Sequence, residues 1–143
     1  MGLLDRIRAW GSADDTKTPT VRSPLEVQLI EIMQDRIGDP LHEERPIRLY
    51  LRFTGEVQGV GFRWTNMGLA REHGMTGWVM NLSDGSVEME IQGTPRQVIV
   101  HLDELHAYYR RFANRIWLEE KREIPVIADE TSFEARYEPG ITL

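Results

Sequence analysis

The sequence contains no cysteine among its 143 residues. That excludes disulfides, a thiolate nucleophile and cysteine-based zinc sites, and it fits a reducing compartment such as the cytoplasm. Long apolar runs are also missing, so no segment reads as a membrane span. Met1–Trp10 is interrupted by Asp5, Arg6 and Arg8 and does not resemble a secretory signal. Nor is it a myristoylation site, since position 6 is Arg. Positive charge is in short supply: 17 Lys and Arg stand against 23 Asp and Glu, for a net charge of −6. A chain that grips nucleic acid normally presents a basic face, so nucleic acid is not an expected partner. The net field weakly repels small anions, and any phosphate site must rely on local donors. The four histidines, at 42, 73, 101 and 106, have no metal-ligand spacing. No metal or cofactor is expected, and all four read as surface or helix-end residues.

What is present is a dense secondary-structure pattern after an irregular start. Gly11–Ser23 is rich in Ser, Thr, Asp and Pro and reads as a flexible linker. Ser23-Pro24-Leu25-Glu26 is a helix start in which Glu26 can complete a capping box. Leu25, Leu29, Met33 and Ile37 follow at helical spacing, predicting an amphipathic helix over about 24–37, with a protein partner on its apolar stripe an option. From Ile47 a strand alternates through Phe53, with Arg48, Tyr50 and Arg52 on its polar side. A glycine-rich loop from Gly55 to Gly61 leads into a helix at 63–74, and Thr76–Asn81 reads as a second strand. Ser83-Asp84-Gly85 supplies a turn. A third strand carries Val87, Met89 and Ile91. Glu88 and Glu90 read as its solvent face. Thr94-Pro95-Arg96-Gln97 caps a helix that runs on through Asn114. Ile116 and Leu118 mark a fourth strand, and Phe133, Ala135 and Tyr137 a fifth. The predicted class is α+β: a ferredoxin-like split βαβ sandwich, with an antiparallel five-stranded sheet, two helices on one face and an N-terminal extension helix.

Two places carry chemistry. In Gly55-Glu56-Val57-Gln58-Gly59-Val60-Gly61-Phe62-Arg63, glycines let successive backbone N–H groups converge at a helix N-terminus. Such a nest suits a phosphate dianion, and Arg63 adds a forked, permanently charged partner. An ordinary glycine-rich strand–helix turn has the same composition. Asn81 ends the second strand, which in a split βαβ fold can lie beside the first, facing Arg63. Its amide can hold a water for attack or simply cap the turn that follows.

The run Gly55–Arg63 resembles the first acylphosphatase signature, G-x-V-Q-G-V-x-F-R, at every fixed position. Gly77-Trp78-Val79-Met80-Asn81, then Gly85, Val87 and Gly93, resembles the second, and Phe133-Glu134-Ala135-Arg136-Tyr137 is similar to the family's closing strand. The resemblance covers about residues 47–137, setting off 1–46 as an extension and 138–143 as a tail. It implies a metal-free hydrolase that splits acyl phosphates into a carboxylate and inorganic phosphate by direct attack of water. It also implies the roles: the backbone of Gln58, Gly59, Val60, Gly61 and Phe62 and the Arg63 side chain bind phosphate, and Asn81 positions the water. The extension and the connection Glu123–Ser132 depart from the usual small domain. A ferredoxin-like RNA-binding module would need a basic, aromatic-rich sheet, and strand 86–92 presents Glu88 and Glu90 instead.

Overall fold

A computed structural model describes residues 21–139. Residues 11–20 of the expected linker Gly11–Ser23, the segment Met1–Trp10 and residues 140–143 of the tail lie outside the described residues.

Helix α1 spans Pro24–Ile37, with Ser23 capping it by accepting from the Glu26 N–H at 3.1 Å. The Glu26 carboxylate closes no capping box. It turns inward, where Nε2 of His106 lies 2.8 Å away and Arg22 donates at 2.6 Å. Leu29 and Met33 from the predicted stripe are buried in the same core as the sheet, against the helix that carries His106.

Strand β1 (Ile47–Gly55) leads through the glycine loop into helix α2 (Phe62–Glu72) and strand β2 (Thr76–Asn81). Strand β3 (Val87–Gly93), helix α3 (Pro95–Arg110), strand β4 (Ile116–Ile124) and strand β5 (Phe133–Tyr137) follow. Thr94 and Gln97 close a full capping box on α3. That helix stops at Arg110 and does not run on to 114, because Phe112 and Ala113 turn back onto it, Ala113 in the left-handed region at φ 54°.

The sheet order is β4-β1-β3-β2-β5. Two expectations need correction. Strand β2 does not lie beside β1, because β3 stands between them, antiparallel to both. The sheet is also mixed: β5 runs parallel to β2, with Phe133 opposite Gly77 and Tyr137 opposite Asn81. The cause is the connection 125–132, which crosses the outer sheet face from one edge to the other. Arg48, expected on a solvated face, is 1% exposed beneath it, with Glu90 at 2.8 Å and Glu130 at 2.6 Å. Gln92 bonds the Ile127 carbonyl and amide from the same face. A buried arginine needs such partners to offset its lost hydration. The crossing leaves β5 at the free edge of β2, entering from the end at which β2 starts.

On the helix face of the sheet lie Leu49, Leu51, Phe53, Val79, Val87, Met89 and Ile91, all buried under α1, α2 and α3. Two of the four histidines are in this layer as well, contrary to the surface reading: His101 and His106 are 1% and 2% exposed. Both sit on α3, on the side turned to its neighbouring helices, where Asn66 and Glu26 supply partners. Helical spacing alone did not reveal partners contributed by α2 and α1.

His101 makes the fold sensitive to acid. Burial, with the nearby His73 adding to it, pushes its imidazole from 6.5 down to about 3. The folded state keeps it neutral, while the unfolded chain takes up a proton below pH 6.5. The unfolded state therefore binds more protons between pH 6.5 and about 3, and stability falls as pH drops through that window. Between pH 7 and 5 the loss is about 2 kcal/mol from this residue. Urea unfolding at the two pH values should show it, and His101→Gln should flatten the difference. An equal loss in the variant would exclude His101 as the cause.

Candidate active site

The site starts from the loop between β1 and α2. Gly59 and Gly61 adopt φ 77° and 75°, a region that L side chains rarely enter. A Cβ at either position would meet no atom within 4 Å, so it is backbone conformation and not crowding that calls for glycine. Left-handed positions of this kind allow neighbouring N–H groups to turn toward one point. The loop is held at both ends. The Glu56 N–H donates to the Arg115 carbonyl at 2.6 Å, and its carboxylate accepts from the Arg115 N–H at 3.0 Å. Val57 is buried, and the Tyr109 hydroxyl donates to the Val60 carbonyl at 3.1 Å.

Helix α2 leaves this loop with an unusual N-terminus. Ser23 and Thr94 cap the other two described helices, whereas Gly61 offers α2 no side-chain acceptor, and no acidic residue stands in its first turn. The first-turn N–H groups and the positive end of the helix dipole are thus left for an anion. Asn66, fully buried, steadies this turn: its amide donates to the Phe62 carbonyl at 2.8 Å, and its oxygen lies 2.9 Å from Nε2 of His101.

Sheet register brings Asn81 to the same end. Val87 pairs with Phe53 on one side and with Asn81 on the other, so the ends of β1 and β2 are level. Because Val87 faces the helices, so does Asn81. The Gln58 side chain then clamps the loop to the turn after β2, donating to the carbonyls of Leu82 at 2.7 Å and Ser86 at 2.8 Å. Arg63, the second residue of α2, reaches the same place. Its guanidinium lies 4.6 Å from the ring centroid of Tyr137, the residue paired with Asn81 across β2 and β5, and 5.4 Å from that of Trp64. Arg63 and Asn81 are thus gathered about one aromatic ring. Each also keeps a buried polar atom without a partner, Nε of Arg63 and Oδ1 of Asn81.

The predicted backbone segment Gln58, Gly59, Val60, Gly61 and Phe62 and the residues Arg63 and Asn81 thus all lie at the same end of the sheet. Sequence reasoning missed the clamp made by the Gln58 side chain, the supports Tyr109 and Asn66, and Tyr137 as a platform. For Tyr137 a signal existed, since it alternates with Phe133 and Ala135, but its use depended on where β5 lies. The arrangement offers amides, a helix dipole and a guanidinium to an anion, with a neutral amide oxygen alongside to accept a hydrogen bond.

Known proteins resemble this chain over most of its described residues. The Acylphosphatase family model matches residues 49–135. An acylphosphatase of Oceanobacillus iheyensis is 40% identical over 83 residues, covering 58% of this chain and 90% of that protein. One from Thermococcus kodakarensis is 54% identical over 52 residues, which are 36% of this chain and 57% of that protein. The crystal structure of acylphosphatase from Bacillus subtilis superposes with a TM-score of 0.54 at 26% identity, covering 64% of this chain and 99% of that one.

Proposed function

The chain belongs to the acylphosphatase family, and from that premise we propose how its own residues hydrolyse an acyl phosphate. The reaction joins a water oxygen to phosphorus and breaks the bond from phosphorus to the carboxyl oxygen. The electron pair leaves with the carboxylate, and the water protons pass to phosphate and solvent. The enzyme is a hydrolase acting on an acid anhydride.

In this reading the amides of Gln58, Gly59, Val60, Gly61 and Phe62 and the guanidinium of Arg63 hold the phosphoryl oxygens. Charge on those oxygens persists through the reaction, so donors fixed in advance stabilise the transition state without reorganising. Asn81 accepts a hydrogen bond from the attacking water through Oδ1 and holds it in line. The carboxylate is a good leaving group and needs little acid assistance, so orientation and charge stabilisation supply most of the effect. The observation that carries the assignment is the pair of buried, unpartnered atoms, Nε of Arg63 and Oδ1 of Asn81, at an uncapped helix N-terminus. Buried polar atoms normally find partners, and two left without one on residues at the same end of the sheet support a ligand site there.

We propose residues 47–137 as the catalytic unit and, on the cysteine-free composition, a cytoplasmic location. No helix among the described residues is long and apolar enough to cross a membrane. The buried side of α1 is used within the chain, so a protein partner on that helix would meet Val27, which is 43% exposed, and the polar outer face.

Benzoyl phosphate hydrolysis tests the proposal. Turnover should be retained in excess chelator, because no step assigned here needs a Lewis acid. Turnover that is lost in chelator and restored by a divalent ion would require a different mechanism.

A further inference from the structure

We propose that Glu72, His73 and Glu104 form a binding site for a divalent transition-metal ion, zinc above all, at the end of α2 remote from the phosphate loop. The ligand atoms of these three residues lie within 4.8 Å of one another. Glu72 is the last residue of α2, His73 caps it, and Glu104 faces them from α3. From Arg63 to His73 the helix rises by about 15 Å, so this site is separate from the one that handles phosphate.

A second observation marks it as a ligand site. Glu104 is fully buried, yet one of its carboxylate oxygens, Oε1, has no hydrogen-bond partner. The other, Oε2, lies 2.8 Å from Nε2 of His73. A carboxylate offers about four lone-pair positions. In a buried site each one left without a donor or a cation is costly. With His73 neutral, the three residues bring a charge of −2, and a divalent ion neutralises it. The last carbonyls of α2 add the negative end of the helix dipole, which also favours a cation.

The donor set selects among cations. One imidazole and two carboxylates are ordinary ligands for zinc, with room for water in the remaining position. Calcium would need six or more oxygens, and magnesium prefers to keep its waters. At about 2.1 Å from the ion, two ligands at a tetrahedral angle stand about 3.4 Å apart. His73 and Glu104 need therefore separate only slightly. Glu72 lies at the surface, where its side chain can close the rest of the distance. The bound ion would staple the end of α2 to α3, which makes it a stabilising ion and not a catalytic one.

The test is zinc titration of the chelator-treated, dialysed full chain, followed by calorimetry and by thermal unfolding. One equivalent of zinc should bind saturably, and the unfolding temperature should rise with zinc concentration, as for any ligand specific to the folded state. Magnesium at the same concentrations should do neither. Glu72→Gln, a surface change that leaves the fold intact, should weaken zinc binding at least tenfold, as should Glu104→Gln where it folds. His42→Gln, at the other partly exposed histidine, should leave it unchanged. Absence of saturable zinc binding up to tens of micromolar would overturn the proposal. So would wild-type affinity in the Glu72→Gln protein, whatever Glu104→Gln does.

Discussion

Arg63→Ala should lower kcat/KM for benzoyl phosphate by about a hundred- to a thousandfold, on the order of 2.7–4 kcal/mol, the loss typical of one preorganised donor in an anion site. The phosphoryl group is anionic before, during and after the reaction. Removing the guanidinium should therefore weaken binding of inorganic phosphate as well as slow turnover. The charge is held in place by neighbours: Tyr137 lies 4.6 Å below the guanidinium, and α2 delivers Arg63 from a turn steadied by Asn66. Arg63→Lys should recover only part of the loss, since an ammonium keeps the charge but not the planar fork, nor the same stacking on Tyr137. Phosphate inhibition constants and kcat for both variants decide the matter, with circular dichroism as the check on folding. Unchanged phosphate inhibition in Arg63→Ala would remove Arg63 from the anion site.

Asn81→Ala should separate the two halves of the mechanism. If Oδ1 accepts from the attacking water and the amide makes no essential contact to phosphate, kcat should fall by about a hundredfold or more. The inhibition constant for inorganic phosphate should stay within about twofold. A variant with intact ground-state binding and lost turnover has given up an interaction used in the chemical step. Asn81 ends a strand, with Val87 and Tyr137 beside it, so truncating its side chain leaves the sheet pairing in place. Wild-type turnover in this variant would refute the water-positioning role while leaving the family assignment untouched.

The two variants probe features of different visibility in the sequence. The glycine loop was legible because its requirement is local: positive φ at Gly59 and Gly61 is a property of those residues and of nothing distant. Helix α1 was bounded correctly at Pro24 and Ile37, since Ser23, Pro24 and Gly38 act within one turn of the helix ends. The second strand, Thr76–Asn81, stands where the turn Ser83-Asp84-Gly85 marked its end. Glu26 shows where local rules stop. Its position fits a capping box, but the buried imidazole of His106, contributed from α3, draws it into the core.

By itself, the sequence determined which segments become helices and strands, which residues of those strands share an apolar face, and where a glycine loop meets an arginine. Caps, alternation and glycine conformation act over a few residues, and the sequence records them in order. Only the tertiary structure decided how the strands are ordered, that β5 runs parallel to β2, and that Tyr137 thereby sits beside Asn81 and beneath Arg63. Alternation tells which residues share a face of the sheet, but it is the same for a parallel and an antiparallel neighbour. The direction of β5 follows from contacts between residues far apart in the chain. Arg48 is held under the 125–132 crossing by Glu130, and those contacts form only once the chain has folded around them.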